Sequence, residues 1–141
     1  MQLFGVISEI LFSLVGIITM IIGIKFISAK EFFPYHKYVI GKNWEEIDQK
    51  IRAIILAVFK MAGSGIICLS LTIFYFVVSC IFTKPLGIIS EIIFPLIFLF
   101  FWSCSFIITF SVHKKYGANT PWTGSLLSIF LIIIGIILGN I

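Results

Sequence analysis

Four charged side chains interrupt long apolar runs: Glu9, Lys25, Lys60 and Glu91. A charge at the centre of a bilayer costs roughly 2.5–3.5 kcal/mol on insertion scales, so such residues are either shallow or functional. Glu9 and Glu91 each fall about two turns from the same end of the runs. Two carboxylates at that depth can share a water-filled vestibule and handle ions or protons, or simply be solvated from outside. Lys60 falls about two turns inside the opposite boundary. Its long stem can carry the ammonium to the headgroups. The alternatives for Lys60 are a lipid phosphate or a carboxylate such as Glu45 or Glu46.

His36 and His113 are the only histidines. Imidazole ligates metals and haem, but neither histidine has another histidine or a cysteine at ligand spacing. Hydrogen bonding at the membrane interface accounts for both. Cys68, Cys80 and Cys104 lie inside apolar runs with no C-x-x-C pair. That removes metal-knuckle and dithiol chemistry and leaves them as small packing residues. The sequence calls for no metal, no cofactor and no catalytic residue. Gly135 and Gly139 form a G-x-x-x-G, which allows close helix approach.

The elements that must hold these residues follow from composition. Of 141 residues, 60% are apolar and 11% are charged, against about half and a quarter in soluble domains. A chain this short cannot bury that much apolar surface in a water-soluble core. The excess must face lipid. Four apolar runs, at about 3–27, 53–82, 86–112 and 122–141, are each long enough to cross ~30 Å of hydrocarbon. The first lacks a basic leader and a small-residue cleavage site, so it reads as a span and not as a signal peptide. The expected fold is all-α: a membrane-embedded four-helix bundle in one transmembrane domain over 1–141. The short connection between spans two and three makes them antiparallel neighbours.

Loops 28–52 and 113–121 carry most of the lysines, and the opposite side has only Lys84. The positive-inside bias then puts both loops in the cytoplasm and both termini outside. In the first loop, Asn43 and Glu46 match a capping box with asparagine as the side-chain acceptor. Trp44, Ile47, Ile51, Ile54, Ile55 and Val58 follow at helical spacing. Span two is therefore expected to begin as an interfacial helical extension near Trp44. At its full length it must either lie partly along the interface or bend at Gly63-Ser64-Gly65. Asn119 or Thr120 is expected to cap the last span, with Pro121 in its first turn.

Phe33-Pro34-Tyr35-His36, Trp44-Glu45-Glu46, Lys60-Met61-Ala62-Gly63 and Thr120-Pro121-Trp122 together resemble a group of small, uncharacterised bacterial four-span membrane proteins. The resemblance covers about residues 30–125 and implies no activity. It directs attention to one end of the bundle, where Tyr35, His36, Trp44, Glu45, Glu46, Lys60, Thr120 and Trp122 are expected to converge. Such a rim would bind a lipid headgroup, a small anionic ligand or a partner protein in a bacterial inner membrane. Two other readings stand beside it. One is an oligomeric transporter or channel using Glu9 and Glu91. The other is an enzyme acting on lipid or quinone, which requires His36 within hydrogen-bond reach of Glu45 or Glu46. A homo-oligomer is compatible with all three readings. The net charge of +4 does not point to nucleic acid, because the lysines flank apolar runs.

Overall fold

A computed structural model describes the backbone of residues 2–82 and 88–139, and the side chains of residues 5–82 and 92–139. The described residues form helices and no strand. Helix α1 spans Gln2–Ile27, α2 Pro34–Ile40, α3 Gln49–Phe82, α4 Ile88–Tyr116 and α5 Trp122–Gly139. A single 3-10 turn, Trp44–Glu46, precedes α3. Four of these helices, all but α2, are long and apolar enough to cross a membrane. The protein is a multi-pass membrane protein built as a four-helix bundle.

Each span is apolar on all sides, so the inward face is marked by small and hydroxyl-bearing residues. On α1, Ser8, Phe12, Val15 and Thr19 are buried, while Ile10, Leu14, Ile17 and Ile21 point outward. Without a hydrophobic force between helices in lipid, association rests on close packing and interhelical hydrogen bonds. Both are present. The Ser70 hydroxyl donates to the Gly16 carbonyl at 2.8 Å, joining α3 to α1. The Ser8 hydroxyl donates to the Gly135 carbonyl at 2.7 Å, joining α1 to α5. Ser105 and Ser125 share a hydrogen bond of 3.0 Å between α4 and α5.

The expected G-x-x-x-G works as a contact. Phe12 packs onto Gly135, where a Cβ would come within 3.1 Å of its ring, and Ser8 packs onto Gly139. Helix α1 lies between α3 and α5, and α4 packs mainly on α5. Helices α3 and α4 are neighbours, as the short connection requires, but touch at few positions. Phe76 meets Phe94 at 5.7 Å and Phe98 at 6.1 Å there.

Helix α3 begins at Gln49 and not at Trp44. The Asp48 carboxylate accepts the Lys50 amide at 2.8 Å, and its carbonyl accepts the Arg52 amide. Asp48 is thus the N-cap, and the extended backbone at Ile47 (ψ 137°) separates the helix from the preceding turn. Helical structure is unbroken through Gly63-Ser64-Gly65. Gly63 packs against Ile27, the last residue of α1. Residues 63–82 therefore run beside α1 for about 29 Å, enough for the hydrocarbon. The preceding turns of α3 extend past α1, and α2 folds against them.

Candidate functional site

The lysine-rich end of the bundle is built from two aromatic clusters, each around one histidine. Phe33 precedes α2 in extended conformation, and Pro34 opens the helix with φ already suited to it. The Phe33 amide donates to His36 Nδ1 at 3.3 Å. That bond fixes the neutral tautomer with the proton on Nε2. The His36 ring lies 4.0 Å from Tyr35 and stacks on Phe59 of α3 at 5.2 Å. Phe26 at the end of α1 completes the cluster, 5.0 Å from Phe33 and 5.6 Å from Phe59. Burial pushes the His36 imidazole below its ordinary pKa and the Tyr35 phenol above its own.

The second cluster joins α4 to α5. His113 Nδ1 donates to the Ala118 carbonyl at 2.8 Å, since a carbonyl oxygen can only accept. Gly117 takes a left-handed conformation (φ 69°) and its amide caps the His113 carbonyl. Trp122 packs on Phe110 at 5.6 Å and on His113 at 5.7 Å. The Thr120 hydroxyl donates to the Thr109 carbonyl of α4 at 2.7 Å. It ties the connection back to α4 instead of capping α5, whose Gly124 and Ser125 amides donate to the Pro121 carbonyl just before the helix. Helix α2 reaches toward this cluster: a Cβ at Gly117 would lie 3.7 Å from the Tyr38 hydroxyl.

Of the eight residues expected to converge, Tyr35 and His36 share one cluster, and Thr120 and Trp122 build the other. Trp44 stacks edge-on against the buried Phe32 at 5.1 Å. Lys60 is exposed, level with the end of α1 and one position from the buried Phe59. Glu45 is exposed. Glu46 accepts both the backbone and side-chain N–H groups of Asn43, so the expected cap forms with asparagine as donor. Those bonds, with Lys42 and Lys37 nearby, hold the Glu46 carboxyl below the usual range. Among the described residues, no contact pairs His36 with Glu45 or Glu46, the arrangement that acid–base chemistry at this rim requires. No three metal-ligating side chains gather among them either.

Sequence reasoning missed the concavity at this end. An open cleft of about 380 Å³ lies between α2 and the 3-10 turn, lined by Lys37, Tyr38, Lys42, Asn43 and Glu46 among others. Gly41 at φ 70° turns the chain so that the last turn of α2 and Lys42 flank it. The available signal was two lysines on either side of a helix-ending glycine.

At the far end, a second cleft of about 270 Å³ is lined by Glu9 and by residues of all four spans. The Glu91 side chain, expected to join Glu9 there, lies outside the described residues. Cys68 and Cys80 are exposed and Cys104 half-buried, so the first two are not core packing residues. No family model, curated protein or solved structure matches the chain.

Proposed function

We propose that this protein sits in a bacterial inner membrane, with both termini outside, and binds an anionic lipid headgroup at its lysine-rich cytoplasmic rim. The observation that carries the reading is the cleft in which Lys37, Lys42 and Tyr38 surround one small concavity. A phosphate there meets two ammonium groups and a phenol, while the Glu46 carboxylate is engaged by both N–H groups of Asn43. Each lysine near an anionic surface contributes about 1 kcal/mol. In this reading the His36 cluster holds α2 against α3, Trp44 anchors the 3-10 turn, and Lys60 reaches headgroups from the outward face of α3.

Melting in phosphatidylglycerol and phosphatidylcholine nanodiscs tests the reading. The wild type is expected to melt higher in phosphatidylglycerol, and Lys37→Gln/Lys42→Gln to lose most of that difference. Lys114→Gln/Lys115→Gln removes the same charge elsewhere on the rim and is expected to keep it. Equal losses in the two double variants would reduce the effect to general surface attraction and sink the site.

A further inference from the structure

The cleft at the lysine-poor end has a chemistry of its own. Its floor is Phe12 and Phe76, whose rings meet edge to face at 5.4 Å. Gly5 and Gly139 stand toward the helix ends and leave the cleft open there. Glu9 is half-buried in its wall and supplies a carboxylate. Among the described residues nothing donates a hydrogen bond to that carboxylate or pairs with it. The neighbouring Ser8 hydroxyl is committed to the Gly135 carbonyl. Among the described residues the cleft thus presents one carboxylate above aromatic walls.

These features select among ligands. A hard divalent cation takes six or more oxygen ligands, and among the described lining residues Glu9 is the one carboxylate. An anion would be repelled by Glu9. A neutral apolar molecule would leave the carboxylate uncompensated at lipid depth. A monovalent organic cation meets both demands, because its charge pairs with Glu9 and its body rests on rings that attract cations.

We propose that this cleft binds a small lipophilic organic cation, a protonated amine or quaternary ammonium with an apolar body, with Glu9 as its counter-ion. The site is independent of the headgroup cleft at the other end.

Benzyltrimethylammonium and its neutral isostere neopentylbenzene are the probes, titrated against the full chain in phosphatidylglycerol nanodiscs, which contain no lipid ammonium. The cation is expected to raise the melting temperature and the isostere to leave it unchanged. Glu9→Gln is expected to weaken cation binding by about tenfold or more. Gly5→Leu fills the mouth at a position where a Cβ meets nothing within 4 Å, so it keeps the fold and is expected to block binding while Glu9 stays in place. Equal stabilisation by the two probes, or wild-type binding by either variant, would overturn the proposal.

Discussion

Gly23 and Gly63 face each other across α1 and α3 so closely that a Cβ on Gly63 would lie 2.8 Å from the Gly23 carbonyl oxygen. The same Cβ would stand 2.9 Å from the Ile27 amide nitrogen. Both obstacles are backbone, so no rotamer change relieves them. This contact sets where α1 ends along α3, and therefore which turns of α3 stand clear to receive α2 and the His36 cluster.

Gly63→Ala is expected to destabilise the bundle by about 1–3 kcal/mol, the usual cost of overpacking. Gly65→Ala, two positions on in open space, is expected to be neutral or to stabilise by up to about 1 kcal/mol through helix propensity. Thermal melting in one detergent compares them. Equal effects would mean that α1 and α3 do not approach at Gly63.

Burial holds the folded-state pKa of His36 below its ordinary value. Above both values the ring is neutral in the folded and unfolded chain, and the contribution is complete. As pH falls below the unfolded value, near 6.5, the unfolded chain takes up the proton first and stability declines until the folded value is passed. Protonation also removes the Nδ1 lone pair that accepts the Phe33 amide. The wild type should therefore lose melting temperature relative to His36→Phe between about pH 7.5 and 5.5. Parallel profiles would contradict this. Glu46 titrates at more acidic pH, because its carboxyl is held below its ordinary range, and does not enter the window.

Thr120→Val keeps the side-chain volume and removes the hydroxyl that bonds the Thr109 carbonyl. Hydrogen bonds between membrane helices average about 0.6 kcal/mol, so the expected loss is of that order, up to about 1.5 kcal/mol. Melting of Thr120→Val beside Thr123→Val, an exposed position in the first turn of α5, measures it. No difference between the two would remove the tie between α4 and the connection before α5.

The four spans were legible because apolar length survives any arrangement of the helices around one another. The start of α3 was not. Apolar periodicity runs on through Trp44, Ile47 and Ile51 without registering that Asp48 is the residue that accepts the first free amides. The order of the helices was legible in part: short connections place α4 beside α3 and α5 beside α4, but do not say that α1 lies between α3 and α5 or that α3 and α4 touch at few positions. Tyr35 and His36 build their cluster on α3 and Thr120 and Trp122 build theirs on α4, a division that the sequence does not show. The headgroup cleft depends on a left-handed turn at Gly41, and only the folded backbone shows what that turn encloses.

The proposed sidedness rests on the lysine bias and is open to a direct check. With the native cysteines replaced, Ser28→Cys should resist a membrane-impermeant thiol reagent in intact cells, and Lys84→Cys should react. The reverse pattern would invert the protein and place the headgroup cleft in the outer leaflet.

Headgroup binding itself is read most directly at Trp44, which packs on Phe32 next to Asn43 of the cleft. In a Trp102→Phe/Trp122→Phe background, Trp44 is the one remaining indole. Its fluorescence is then quenched by brominated lipids in proportion to their presence beside it. Brominated phosphatidylglycerol is expected to quench Trp44 more than brominated phosphatidylcholine at equal mole fraction, and Lys37→Gln/Lys42→Gln to abolish the difference. Equal quenching by the two lipids in the unmodified cleft would contradict headgroup binding at this rim.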